Sequence, residues 1–172
     1  NKFQWRLFSI NEDIPEHVLA WLLDNQSLTA KLRNCVKLNA GCKVMLHPVK
    51  QPELYGVATI NKKNKITSIK EKPKKSKSNL AITGLYFFDN KVVQYSKKLN
   101  PSKRNELEIV DLLNIYRKKN KLIAEFLGRG GAWLDTGSID DFYNTSAFVS
   151  ALENRQGLKV ACLEEIALNY NW

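Results

Sequence analysis

Gly128-Arg129-Gly130-Gly131-Ala132-Trp133-Leu134-Asp135-Thr136-Gly137-Ser138 places four glycines, an aromatic ring and a carboxylate within eleven residues. Glycine admits positive φ and lets backbone approach a ligand closely. Asp135, between Leu134 and Thr136-Gly137, reads as a carboxylate at the end of a buried strand, where the chain turns. In an α/β domain, ligands and metals sit at such strand ends. The plain alternative is an ordinary turn capped by Asp135, and the spacing alone leaves both open.

On either side of this stretch the pattern is α/β. Downstream, Ser138-Ile139-Asp140-Asp141 has the form of a helix cap, and the helix it opens is expected to end at Gly157. Upstream, Leu122 to Leu127 reads as a strand feeding the glycine-rich turn. Glu108 to Lys119 reads as a helix with Ile109, Leu112, Leu113 and Tyr116 on one face, and Lys91 to Lys98 as a short amphipathic helix. Ala81 to Phe88 is a nearly continuous apolar run, as expected of a buried central strand. Val57–Ile60 and Ile66–Ile69 alternate around Asn61–Lys65, which predicts a hairpin.

Residues before about 50 read as a separate unit. Asp13-Ile14-Pro15-Glu16 has the capping-box shape. Val18, Leu19, Leu22 and Leu23 supply an apolar stripe, Ser27 restarts a helix, Gly41 breaks it, and Lys43-Val44-Met45-Leu46 reads as a strand.

Composition restricts the possible classes. The 172 residues are 44% hydrophobic and 26% charged, ordinary for a globular protein. No apolar run approaches the length of a membrane span, and nothing at the start reads as a signal peptide. Lysines supply most of the net charge of +10, in runs such as Asn61–Lys65, Lys70–Lys77 and Arg117–Lys121. These fall at expected turns and helix ends without interleaved aromatics, which reads against a nucleic-acid partner. Cys35, Cys42 and Cys162 are odd in number and widely spaced. They argue for a reducing, cytoplasmic setting and against a disulfide framework or a zinc site. His17 and His47 have no metal-ligand partner at helical spacing and read as surface residues.

Several segments together resemble a known family. Tyr55-Gly56-Val57, Glu71-Lys72-Pro73, Thr83-Gly84-Leu85-Tyr86-Phe87, Glu106-Leu107-Glu108-Ile109, Trp133-Leu134-Asp135-Thr136-Gly137 and Glu153 to Cys162 resemble sugar-nucleotide transferases of the glucose-1-phosphate thymidylyltransferase type, in order and spacing. The resemblance covers residues 52–172. It implies a mixed sheet flanked by helices, the sugar-phosphate half of a nucleotide-diphospho-sugar transferase fold. The implied reaction is nucleotidyl transfer from dTTP to glucose 1-phosphate, giving dTDP-glucose and pyrophosphate. Catalysis of that kind is mainly positioning and charge neutralisation.

The resemblance also implies roles for individual residues. Asp135 is one carboxylate ligand of Mg²⁺, an ion that takes one or two carboxylates plus phosphate oxygens. Lys72 contacts the sugar phosphate, Glu71 accepts hydrogen bonds from sugar hydroxyls, and Arg104 completes the phosphate clamp. Tyr55 and Gly56 lie where backbone meets the sugar. Ile82 stands where the family usually has Val, and Asn105 replaces a frequent Gly beside Arg104. Tyr86 and Trp133 either line the sugar pocket or pack in the core. Arg129 and Glu165 match positions that bind a regulatory nucleotide between subunits, so a homo-oligomer is one expectation.

Residues 1–48 resemble something else, the N-terminal part of chorismate pyruvate-lyase, which makes 4-hydroxybenzoate. The stretch Trp21-Leu22-Leu23-Asp24-Asn25-Gln26-Ser27-Leu28-Thr29-Ala30-Lys31-Leu32 carries that likeness. The transferase family has a Gly-Gly-x-Gly-Thr-Arg triphosphate loop and a second metal-binding Asp in a half preceding Tyr55. Here Gly41 is the only glycine before Gly56. The expectation is therefore a chimeric chain joined near Pro48–Glu53, inactive alone. A lyase-related chain and a non-catalytic, self-associating remnant are the alternatives.

Overall fold

The computed structural model describes residues 34, 35, 37–102, 105–128, 132–157, 159, 160 and 162–169. The expected helices between Asp13 and Leu32 lie outside the described residues, as do His17, Arg104 and Arg129. Five strands form one mixed sheet: β1 (Cys42–Pro48), β2 (Gly56–Ile60), β3 (Ile66–Glu71), β4 (Leu80–Phe88) and β5 (Leu122–Phe126), in spatial order β3-β2-β4-β1-β5. β1 runs parallel to β5, and the other pairings are antiparallel. Among the described residues, the α-helices that accompany them include α1 (Val92–Ser96), α2 (Ile109–Lys118), α3 (Ile139–Gln156) and α4 (Leu163–Asn169).

The hairpin expected around Asn61–Lys65 is the β2–β3 pair. Its turn closes on Asn61, whose carbonyl accepts from the Asn64 amide and whose side chain accepts from the Lys63 and Lys65 amides. Two lysine runs meet there, for Lys65 Nζ donates to Asn120 Oδ1 at 2.7 Å and Arg117 Nη1 to the Thr67 carbonyl at 2.9 Å. The lysines thus sit at a turn and a helix end.

Strand alternation divides the core between two faces. Cys42, Val44 and Leu46 share one face with Ala58, Ile66, Ile69, Ile82 and Phe88, and α2 seals it through Val110, Leu112, Leu113 and Tyr116. Val110 is more buried than Ile109, the residue the periodicity favoured. Met45 lies on the opposite face with Cys35 and Leu127, against Leu85, Phe87 and Trp133. The boundary expected near Pro48 therefore does not divide the sheet: β1 lies inside it, paired on both sides with strands from beyond that boundary.

Asp89 fastens this end of the sheet. Its carboxylate is buried and accepts from the Gly41 amide and the Tyr116 hydroxyl, both at 2.7 Å, and from the Lys91 amide at 3.1 Å. Burial works against the anion, but these donors outweigh it and hold the carboxyl below its ordinary value.

β4 is not a straight strand. Val44 pairs with Tyr86 but Leu46 pairs with Ile82, so β4 carries extra residues between those rungs. Gly84 sits in this bulge at φ +83°, a conformation side chains disfavour.

Candidate functional site

The β4 bulge positions the candidate site. Thr83 is buried beside it. The Thr83 hydroxyl donates to the Met45 carbonyl at 3.2 Å, and the Thr83 carbonyl accepts from Trp133 Nε1 at 3.1 Å. That indole hydrogen bond moors the segment 132–136, which is irregular rather than strand. The expectation that Asp135 ends a buried strand is thus corrected: Asp135 is exposed, on a loop held by tertiary contacts. Thr145 of α3 donates to the Asp135 carbonyl at 3.1 Å, and the Asp135 carboxylate accepts from the Thr136 amide at 2.8 Å. Ser138 then caps α3 by accepting from the Asp141 amide, and Gly157 ends the helix at φ +68°.

Trp133 meets Tyr55 edge to face, with ring centroids 5.0 Å apart. An open cleft of about 320 Å³ lies beside them, lined by His47, Tyr55, Trp133, Asp135, Asp141 and Thr145 among others. Burial, followed by the charges of Asp135 and Asp141, raises the Tyr55 phenol above its ordinary value. Both carboxylates therefore bear on the tyrosine.

Tyr55-Gly56 and Glu71-Lys72 meet directly. The Lys72 amide donates to the Tyr55 carbonyl at 3.0 Å, and Gly56 pairs with Glu71 across the hairpin. A Cβ on Gly56 would lie 3.2 Å from Glu71 Oε2, 3.3 Å from Val110 and 3.8 Å from Ile82. A side chain at Gly56 would thus crowd the Glu71 carboxylate and Val110. Lys72 is exposed and holds φ +38°, a strained value for a residue with a side chain. Tyr86 packs into the same core face, stacked on Phe88 at 6.0 Å. Burial, and secondarily Glu71, raises its phenol.

The sequence-derived set therefore falls into two adjoining groups joined by the Tyr55–Gly56 backbone. Glu71, Ile82 and Tyr86 gather on the face that α2 covers, and Tyr55, Trp133 and Asp135 around the cleft on the other. Glu165 is exposed on α4. Sequence reasoning missed Asp141, Thr145 and above all His47. That histidine was expected on the surface, but it is half-buried, 6.4 Å from the Trp133 ring, and its Nδ1 is buried without a hydrogen-bond partner among the described residues. Its spacing of two from Met45 was the available signal, since strand residues i and i+2 share a face.

For Mg²⁺ the donor set fits in one limited sense. Asp135 is an exposed carboxylate with one oxygen committed to a backbone amide, and Asp141 across the cleft accepts from the Ser138 hydroxyl at 2.6 Å. Among the described residues no group of three or more His, Cys, Asp or Glu could hold a metal by itself. Asp135 suits an ion whose other ligands are phosphate oxygens and water.

Comparison with known proteins agrees with this architecture. A glucose-1-phosphate thymidylyltransferase of Neisseria meningitidis is 44% identical over 147 residues, covering 86% of this chain and 51% of its own length. One from Xanthomonas campestris is 43% identical over 151 residues, covering 88% and 51%. The chain thus spans about half the length of the curated relatives it matches. A structure assigned as a glucose-1-phosphate thymidylyltransferase of Bacillus anthracis, in complex with sucrose, superposes with a TM-score of 0.63 at 39% identity, over 70% of this chain and 48% of that one. A UDP-glucose pyrophosphorylase solved with UDP-glucose shares the fold at 24% identity, with a TM-score of 0.63 over 73% and 50% of the two chains. The nucleotidyl transferase family model matches residues 21–151, and so takes in the Trp21–Leu32 stretch that resembled a lyase. On sequence and on fold alike, the chain belongs to the nucleotidyl transferase family.

Proposed function

We propose that this chain supplies the sugar-phosphate-binding part of a glucose-1-phosphate thymidylyltransferase, acting in nucleotidyl transfer from dTTP to glucose 1-phosphate. The observation that carries the reading is the meeting of three separated motifs at one end of the sheet. Tyr55 accepts the Lys72 amide through its carbonyl and packs its ring on Trp133, and Trp133 moors Asp135. Lys72 supplies a point charge for the sugar phosphate, Glu71 and the Tyr55–Gly56 backbone meet the hexose, and Arg104 completes the clamp. Asp135 is the residue that would hold Mg²⁺, which when bound offsets the charge of the phosphates. Arg129 and Glu165 are proposed as contacts of a regulatory nucleotide. The three free cysteines accord with a cytoplasmic setting, and no described helix is long and apolar enough to cross a membrane.

Calorimetric titration with glucose 1-phosphate tests the reading. Saturable binding is expected, lost in Lys72→Ala; silence from the native chain overturns it. The 172 residues contain no Gly-Gly-x-Gly-Thr-Arg loop, so pyrophosphate release from dTTP and glucose 1-phosphate is expected to stay at background for this chain alone.

A second reading has its own observation. On α3, Ile139 is 89% exposed, Tyr143 73% and Phe142 63%. Such side chains favour self-association of the isolated chain, which concentration-dependent sedimentation would show.

A further inference from the structure

We propose that His47 positions the hexose: its Nε2–H donates to a sugar hydroxyl in the cleft formed with Tyr55, Trp133 and Asp135. The inference rests on the sugar-phosphate reading above and adds a residue to it.

His47 lies near the C-terminal end of β1, on the Met45 face, where the sheet opens onto the cleft. Its two ring nitrogens are not equivalent. Among the described residues Nδ1 is sealed from solvent and has no hydrogen-bond partner, and none is present for Nε2, while the ring itself lines the open cleft. A buried N–H without an acceptor is rarer in folded proteins than a buried acceptor left bare. The proton therefore belongs on Nε2, and the ring presents a donor on its open side. Burial lowers the imidazole below its ordinary value, which favours the neutral ring at pH 7. The charged groups facing the same cleft are Lys50, Asp135 and Asp141. Beside Asp141 a neutral donor suits a sugar hydroxyl, which donates to that carboxylate while accepting from His47, and Asp135 is left to the metal.

Two measurements test this. The first needs no ligand: nitrogen-15 spectra of histidine-labelled protein at pH 7, with His47 assigned through His47→Gln. The Nε2–H neutral tautomer is expected, and the Nδ1–H tautomer or an imidazolium would overturn the proposal. The second is titration with glucose 1-phosphate. His47→Gln, whose amide nitrogen can occupy the Nε2 position, is expected to bind within about twofold of the native chain. His47→Asn, which retains polarity but does not reach, is expected to bind about five- to tenfold more weakly, the scale of one hydrogen bond. A purely structural histidine would instead lower the melting temperature of both variants and leave the dissociation constant unchanged. Native affinity in His47→Asn overturns the role of His47 alone and leaves the sugar-phosphate reading standing. Absence of binding by the native chain overturns both.

Discussion

Gly84 sits in the β4 bulge next to Thr83, whose carbonyl accepts from the Trp133 indole, and its replacement can be sized from the structure. It holds φ +83°, and a Cβ built there meets nothing within 4 Å. Gly84→Ala therefore carries no steric clash, and its cost is conformational. Forcing a side chain into the left-handed region costs roughly 1–2 kcal/mol. The lower entropy of the unfolded alanine chain returns about 0.5–1 kcal/mol of that, leaving a loss of about 1 kcal/mol. Asn tolerates positive φ, so Gly84→Asn should lose about half as much, and Gly84→Val, β-branched, distinctly more. Urea unfolding followed by circular dichroism would rank them Gly, Asn, Ala, Val. The bulge also leaves the Thr83 carbonyl to the Trp133 indole, so Trp133→Phe should cost about 1 kcal/mol for that bond. The two substitutions act on one mooring, and together they should depart from additivity by about 0.5 kcal/mol or more. Equal stability of the Asn, Ala and Val variants, or strict additivity with Trp133→Phe, would refute the bulge as the device that places Asp135.

Asp89→Asn leaves one of two buried donors, the Gly41 amide or the Tyr116 hydroxyl, facing an amide nitrogen, a loss of about 1–3 kcal/mol at pH 7. Because the folded-state pKa is depressed, the stability this group adds is present above the ordinary value of 3.8 and lost as pH falls through the folded value. The gap between native and Asp89→Asn protein should thus narrow below pH 3.8, and a pH-independent gap in acid unfolding curves would contradict the assignment. At Lys72, φ +38° predicts that Lys72→Gly is more stable than Lys72→Ala by about 1 kcal/mol. Both should lose glucose 1-phosphate binding, and denaturation paired with calorimetry checks both halves. Burial pushes the Cys35 thiol up to about 11 and raises that of Cys42 further, while Cys162 is partly exposed. Ellman's reagent at pH 7 should react promptly with Cys162 and with the other two only in denaturant. Prompt reaction of Cys42 would show that the Gly41–Asp89 end of the sheet opens readily.

The features legible in the sequence are those whose signals are local. The β2–β3 hairpin follows from alternation around Asn61–Lys65, and α3 from the Ser138 cap and the Gly157 stop. The Tyr55, Glu71, Lys72, Trp133 and Asp135 candidates came from family likeness, and the fold brings them to one end of the sheet. What was not legible depends on partners distant in the chain. Ala81–Phe88 looks like a nearly continuous apolar strand, because the bulge at Gly84 appears only once β1 pairs beside it. Trp133-Leu134-Asp135 looks like a strand end, because nothing local announces that the indole is held by Thr83. His47 is polar at the end of a strand and reads as exposed until Trp133 closes over that face. Cys42–Pro48 seemed to belong with the segment before it, since parallel pairing with β5 joins residues some eighty positions apart.

Tyr55-Gly56, Glu71-Lys72 and Trp133–Asp135 are proposed to form one sugar-phosphate site. Amide shift mapping during titration with glucose 1-phosphate tests it most directly. Saturable shifts are expected to cluster at residues 47, 55, 56, 71, 72 and 133–136, with the Asn61–Lys65 and Arg117–Lys121 amides unmoved. Shifts centred on those lysine runs would mean that the phosphate is held by general surface charge, and would contradict it.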